Sequence, residues 1–220
     1  MNPKLMKETI AELIGTFILV FIGGFSVVLA TTPANNVNIL VPAFAHGLAV
    51  IGIIYTYGHI SGAHINPAVT VGLLVGGKVT AIKALLYIIA QFIGSILAAL
   101  LIVTILGSNA NVGETTGSLT ANNVWQAALF EAVLTFFLVS IVFQAAVYGK
   151  AGNVAGVVIG LSLTGLILAG GAYTGASLNP ARTLGPALVA GNLEYIVPYF
   201  LGIFGGGAVA GLFHSTYMKS

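Results

Sequence analysis

The sequence predicts an all-α membrane protein with six transmembrane helices and two re-entrant half-helices, arranged as an inverted 3+3 repeat. Three observations lead to this fold class. The 220 residues include only seven Lys or Arg and five Asp or Glu, while 58% are hydrophobic. Six apolar runs are long enough to cross a bilayer. Two shorter apolar runs share one motif and lie at matching positions in the two halves of the chain.

The composition excludes whole classes of protein. Charged residues make up 5% of the chain, against about 25% in an average soluble domain. So few polar groups cannot cover a water-exposed surface, which excludes a soluble enzyme, a nucleic-acid-binding protein and a disordered tail. The chain contains no cysteine and no aspartate. We therefore expect a lipid-solvated protein of the cell membrane with no metal site, no cofactor and no nucleic-acid partner.

Run lengths distinguish full crossings from partial ones. A helix needs about 20 apolar residues to cross a hydrocarbon core about 30 Å thick. Two runs, Ile65–Gly77 and Leu178–Ala190, are too short and reach only about 20 Å as helix. The six runs that are long enough begin near Ile10, Ile39, Ile82, Val124, Val154 and Tyr195.

The lysines predict the orientation. Six crossings place all of them on one side of the membrane, at positions 4, 7, 78, 83, 150 and 219. The opposite loops, near residues 31–38, 107–123 and 190–195, contain no lysine or arginine. Cytoplasmic loops carry the excess of positive residues, so both termini are expected in the cytoplasm.

An internal repeat relates the two halves of a single membrane domain, residues 1–220. Residues 61–70 (SGAHINPAVT) align with residues 174–183 (TGASLNPART). The repeats cover about 1–110 and 120–220. Each holds three spans, and because three is odd, the second repeat is inverted. Inverted repeats with discontinuous helices are typical of a pore or transport site at the repeat interface near the midplane.

Each short run begins with an Asn-Pro-Ala box. Asn is a strong N-cap and Pro suits the first helical position, which predicts half-helices over about 66–77 and 179–190. Their positive N-terminal ends should meet near the bilayer centre. Non-helical backbone at this depth must face protein or a wet cavity. The boxes are Asn66, Pro67, Ala68 and Asn179, Pro180, Ala181, and the carbonyls expected to line the cavity belong to Gly62, Ala63, His64, Gly175, Ala176 and Ser177.

These motifs resemble the aquaporin (major intrinsic protein) family over essentially the whole chain. The resemblance is carried by the two Asn-Pro-Ala boxes, by the SGAHINPAVT and NPAR segments, and by AELIGTF and FEAVLTF near the start of each half. It implies a right-handed bundle that assembles as a homotetramer with one pore per subunit. It also implies passive flow of water or a small neutral solute, and no enzyme activity.

The resemblance further implies a filter near the outer mouth, at His46, Ile167, Ala176 and Arg182. This pattern is similar to the tonoplast intrinsic branch, which implies water as the main permeant, with ammonia or another small neutral solute beside it. Arg182 is the only arginine and lies in an apolar segment. A charge there is costly, and its expected role is to donate to passing solute and repel cations. With the two helix ends and the Asn amides, it should exclude protons and ions.

Glu12 and Glu131 occupy matching positions near the start of the two halves. The resemblance suggests that each accepts hydrogen bonds from the re-entrant backbone of its own half. Intramembrane carboxylates also relay protons in transporters, so an ion-coupled secondary transporter with broken helices remains an alternative. A second alternative is a channel that facilitates the passage of glycerol or urea. Glycerol is disfavoured because Thr183 follows NPAR, where glycerol facilitators of the family usually have Asp.

Overall fold

The computed structural model describes residues 2–31, 38–107 and 112–218. Within these ranges all the regular secondary structure is helical, and the predicted fold class is confirmed. Lys219, residues 32–37 of one predicted outer loop and residues 108–111 of another lie outside the described residues.

Among the described residues, six helices are long and apolar enough to cross a membrane. The first begins at Pro3, earlier than the predicted Ile10, because the polar segment around Lys4 and Lys7 is already helical. The six are α1 (Pro3–Thr31), α2 (Leu40–Ser61), α4 (Ala81–Leu106), α6 (Val124–Val142), α7 (Ala155–Thr174) and α9 (Ile196–Tyr217).

The described residues also form three shorter α-helices: α3 (Pro67–Val75), α5 (Ser118–Asn122) and α8 (Pro180–Ala190). Helices α3 and α8 begin where local chemistry dictates. Asn66 and Asn179 are extended, and their side chains accept from the N–H groups of Ala68 at 2.8 Å and Ala181 at 3.0 Å. Proline is then the first helical residue, where its missing N–H group leaves no donor without a partner.

The helix contacts follow the inverted repeat. In the first half α1 packs on α2 and α4, and in the second half α6 packs on α7 and α9. Helices α2 and α7 pack against each other and join the halves. Each half-helix also packs on a long helix of the other half, α3 on α9 and α8 on α4. Glycine permits this closeness: a Cβ on Gly206 would overlap the carbonyl of Ala132, and one on Gly211 would overlap that of Gly72.

Helix α6 ends in a π-helical turn, Phe143–Val147, that the sequence did not predict. The N–H of Tyr148 donates to the carbonyl of Phe143 at 2.8 Å, and the Tyr148 hydroxyl donates to the carbonyl of His214 at 2.7 Å. The rings of Phe143 and His214 stack with centroids 5.4 Å apart. Helix α9 therefore supports this turn, which borders the central cavity through Val147.

Candidate functional site

The two half-helices meet end to end through their asparagines. Asn66 Nδ2 donates to the carbonyl of Leu178 at 2.8 Å, and Asn179 Nδ2 donates to the carbonyl of Ile65 at 2.9 Å. Both side chains are buried. Because each Oδ1 already caps its own helix, each amide can present only N–H donors to a neighbour.

The Glu12 carboxylate organises the first re-entrant loop. It is fully buried. Its oxygens accept from the backbone N–H groups of His64 at 2.9 Å and Ile65 at 2.6 Å, and from Ser61 Oγ at 2.6 Å. A carboxylate has enough lone pairs for all of these donors. One side chain therefore accepts hydrogen bonds from loop N–H groups that have no helical partner.

Glu131 does the same in the second repeat. It accepts from the backbone N–H groups of Ser177 at 2.9 Å and Leu178 at 2.8 Å, and from Thr174 Oγ1 at 2.7 Å. It too is fully buried. With their oxygens already engaged by fixed donors, neither glutamate presents an open site for a coupling ion.

These bonds hold a strained backbone. Ala63 and Ile65 have φ of 46° and 45°, and Ala176 and Leu178 have φ of 42° and 53°. For a residue with a Cβ, the left-handed conformation costs about 1–3 kcal/mol, and contacts with the surrounding structure must hold the residue in that conformation. The same alternation in both loops shows that the repeat extends to single backbone dihedrals.

Sequence reasoning assigned no role to three buried polar side chains that brace the loops. Gln91 Nε2 donates to Glu12 Oε2 at 2.8 Å and to Thr70 Oγ1 at 3.0 Å. The hydroxyls of Tyr87 and Tyr199 donate to the last carbonyls of α2 and α7, at 2.8 and 2.7 Å. Two features of the sequence could have indicated these roles. Gln91 lies alone in an apolar span, and Tyr87 and Tyr199 occupy matching positions in the two repeats.

A cavity of about 270 Å³ runs along the junction of the repeats. Much of its wall is apolar, with Leu19, Val50, Leu73, Leu138 and Leu163 among its residues. The predicted site residues that border it are His46, Ile167, Arg182, Asn66, Asn179, Gly62, Ala63, His64 and Ser177. The other predicted site residues are not among those that line it: Pro67, Ala68, Pro180, Ala181, Gly175, Ala176, Glu12 and Glu131.

At one end of the cavity Arg182 is fixed by two acceptors. Its Nε donates to His46 Nε2 at 3.0 Å, and its Nη1 donates to the carbonyl of Gly113 at 2.5 Å. His46 Nδ1 lies 2.7 Å from the carbonyl of Pro42. A carbonyl can only accept, so Nδ1 carries the proton and Nε2 is the acceptor for Arg182. His46 is therefore neutral, and both ring nitrogens are occupied.

Gly23 on α1 makes room for this histidine. A Cβ at Gly23 would overlap the His46 ring at Nε2. We expect Gly23→Ala to displace the ring, weaken its bond to Arg182 and lower water permeability several-fold, because a well-packed interior cannot absorb an added methyl group without a shift.

The measurement is osmotic shrinkage of proteoliposomes carrying equal amounts of each variant. Gly52→Ala on α2 is the matched control, since nothing lies within 4 Å of the added Cβ there. Equal permeability of Gly23→Ala and Gly52→Ala would contradict this reading of the Gly23 contact.

Comparison with known families decides the identity of the chain. The family model described as Major intrinsic protein matches residues 1–214. The chain belongs to the major intrinsic protein family. It is accordingly an integral membrane protein, a passive channel for water or small solutes and not an enzyme.

Relatives of this major intrinsic protein are similar along nearly their whole length. Aquaporin TIP1-1 of Zea mays is 39% identical over 100% of the chain and 90% of the relative. Probable aquaporin TIP2-2 of Arabidopsis thaliana is 36% identical over 95% of the chain and 86% of the relative. Among solved structures, the aquaglyceroporin from Plasmodium falciparum superimposes with a TM-score of 0.85 at 25% identity, covering 98% of this chain and 97% of that one.

Proposed function

We propose that the main permeant of this channel is water, that ammonia or another small neutral solute also passes, and that His46, Ile167 and Arg182 form its narrow filter. The observation that carries the proposal is the pairing of Arg182 with His46 at the end of a cavity that both Asn-Pro-Ala boxes border. A fixed guanidinium beside an apolar wall suits a small solute that accepts one hydrogen bond.

The chemistry of the three side chains supports this choice. Both nitrogens of His46 are engaged, so the remaining N–H groups of Arg182 are the donors for a passing oxygen or nitrogen. Ile167 adds an apolar side chain to the lining of the cavity, and pore selectivity depends on pore diameter and on the groups that line the pore. Ala176, the fourth predicted filter residue, packs beside Gly170 and is not among the residues that line the cavity, so its part in the filter stays a prediction.

The midplane geometry supports the proposed exclusion of protons and ions. The N-termini of α3 and α8 bring two partial positive charges together, and Asn66 and Asn179 add only N–H donors. A water at this point donates its own protons outward and has its oxygen engaged, so it accepts a proton poorly. Together with Arg182, the helix ends raise the free energy of any cation inside the pore.

We also propose that both termini face the cytoplasm and that four copies assemble with one pore each. The described lysines support the orientation, since Lys83 pairs with Glu8 at 3.0 Å and Lys78 lies 5.0 Å from the ring centroid of Tyr148, at one end of the bundle. The tetramer is inferred from family resemblance. Large exposed apolar side chains such as Leu129 and Val197 suit lipid or subunit contacts.

The experiment is a side-by-side flux assay in proteoliposomes. We expect water flux with a low activation energy, ammonia entry detected by an internal pH dye, slower urea and glycerol flux, and no proton leak. A response that needs a proton or sodium gradient would support a coupled transporter instead. Glycerol flux as fast as water flux would support a glycerol facilitator.

A further inference from the structure

Residues 112–117 lie against Arg182, α1 and the end of α7, and we call them the outer strap. Val112 and Thr115 within it are 1% exposed. Its backbone packs tightly against two helices. A Cβ on Gly113 would lie 2.5 Å from the Cα of Gly24 on α1, and a Cβ on Gly175, just after α7, would lie 2.6 Å from the backbone of Thr115. The outer strap is thus part of the packed structure.

One carbonyl of the outer strap belongs to the candidate filter. The carbonyl of Gly113 accepts from Arg182 Nη1 at 2.5 Å. Two residues further on, Thr115 Oγ1 donates to Thr183 Oγ1 at 3.4 Å, beside Arg182 on α8. The position of the guanidinium therefore depends on where the outer strap lies.

Glu114 fastens the outer strap to the segment that follows α8. Asn192 Nδ2 donates to Glu114 Oε1 at 2.9 Å, and the Tyr195 hydroxyl donates to the same oxygen at 3.4 Å. Asn192 is itself fixed, because its N–H donates to the carbonyl of Ala187 in the last turn of α8 at 3.0 Å. The carboxylate next to Gly113 is consequently anchored to the helix that carries Arg182.

The electrostatics of Glu114 fit this anchoring. Burial raises the pKa of Glu114, while the bonds from Asn192 and Tyr195 and the charge of Arg182 act in the opposite direction. The two hydrogen bonds and the charge of Arg182 thus favour the ionised carboxylate. Bonds to an ionised acceptor are about twice as strong as bonds between neutral groups.

We propose that Glu114 is a positioning residue for the filter: by holding the outer strap to Asn192 and Tyr195, it keeps the Gly113 carbonyl against Arg182 and so sets how well the channel rejects solutes larger than water. This inference rests on the proposed filter role of Arg182. Glu114 acts through the strap and touches no solute. A site of this kind loses selectivity when its supporting residues are loosened, even with its own side chains intact.

The test compares water and urea permeability of the full-length protein in proteoliposomes. We expect Glu114→Ala to raise the urea-to-water permeability ratio about fivefold, the effect of losing one or two hydrogen bonds. Glu114→Gln keeps an amide oxygen for Asn192, so its ratio should stay near that of the wild type. Glu194→Ala removes a neighbouring exposed carboxylate and is the matched control, with an unchanged ratio.

The hydrogen bond between Glu114 and Asn192 can also be removed from the Asn192 side. Asn192→Ala should raise the ratio in the same direction, and it should add little in the Glu114→Ala background because both changes break one contact. It also tests the proposal if Glu114→Ala fails to fold. A wild-type ratio in Asn192→Ala and in any folded Glu114→Ala, an equal effect of Glu114→Gln and Glu114→Ala, or an equal effect of Glu194→Ala would each overturn the proposal.

The variant Arg182→Val distinguishes the filter role of Arg182 from the anchoring role of Glu114. If Arg182→Val leaves the urea-to-water ratio unchanged, the filter role of Arg182 is wrong and the role of Glu114 falls with it. If Arg182→Val raises the ratio while Glu114→Ala and Asn192→Ala do not, the filter stands and only the anchoring role of Glu114 is wrong.

Discussion

Glu131→Ala is expected to abolish the folded channel. The change leaves the N–H groups of Ser177 and Leu178 and the hydroxyl of Thr174 without their acceptor in a fully buried site. Each orphaned group costs about 1–3 kcal/mol, and three of them approach the whole stability of a typical domain, about 5–15 kcal/mol. The left-handed backbone at Leu178 adds to the loss. The measurement is the yield of monodisperse protein in detergent and its unfolding temperature.

Two further variants make this result specific. Glu194→Ala removes an exposed carboxylate, and exposed substitutions of this kind usually change stability by less than about 0.5 kcal/mol, so near-normal yield is expected. Glu131→Gln keeps one acceptor oxygen but turns an NH₂ group toward a donor, and an intermediate loss follows. Full yield and normal water flux in Glu131→Ala would mean that the second re-entrant loop does not depend on this carboxylate.

The second large effect concerns selectivity. The double variant His46→Ala with Arg182→Val removes both members of the pair joined at 3.0 Å and the cation that donates to Gly113. Urea and glycerol flux relative to water should rise on the order of tenfold, the scale on which a tight apolar pocket discriminates by size. Light-scattering shrinkage under urea, glycerol and impermeant gradients gives the ratios directly.

Leu73→Ala serves as the control for simple widening. Leu73 also borders the cavity, but it lies on α3, away from Arg182. It should leave the solute ratios near those of the wild type. Unchanged selectivity in the double variant, or an equal change in Leu73→Ala, would count against a filter at His46 and Arg182.

The fold was predictable because its signals are local or periodic. Span lengths follow from apolar run lengths, and the starts of α3 and α8 follow from the capping chemistry of Asn66 and Asn179. The inversion followed from counting spans between the matched motifs. The early start of α1 and the π-helical turn after α6 were missed, because polar helix ends and single extra residues in a turn leave no mark on the apolar pattern.

Much of the site was less predictable because it depends on residues far apart in the chain. The resemblance suggested His46 and Arg182 as neighbours, yet the tautomer of His46 is set by Pro42 and the second acceptor of Arg182 lies 69 residues away at Gly113. Gln91 joins Glu12 across 79 residues. Spacing from a motif also gives no side-chain direction, so the filter role of Ala176 stays a prediction.

The reciprocal bonds between each asparagine amide and the opposite loop tie the two halves of the protein together at its centre. Rocking one half against the other would break both bonds where no bulk solvent replaces them, and alternating exposure of a carrier needs such a movement. The channel is therefore expected to conduct without alternating movement of its two halves. Its conductance should be the same for inward and outward flow, without rectification, so that the direction of net transport is decided entirely by the compartments on either side.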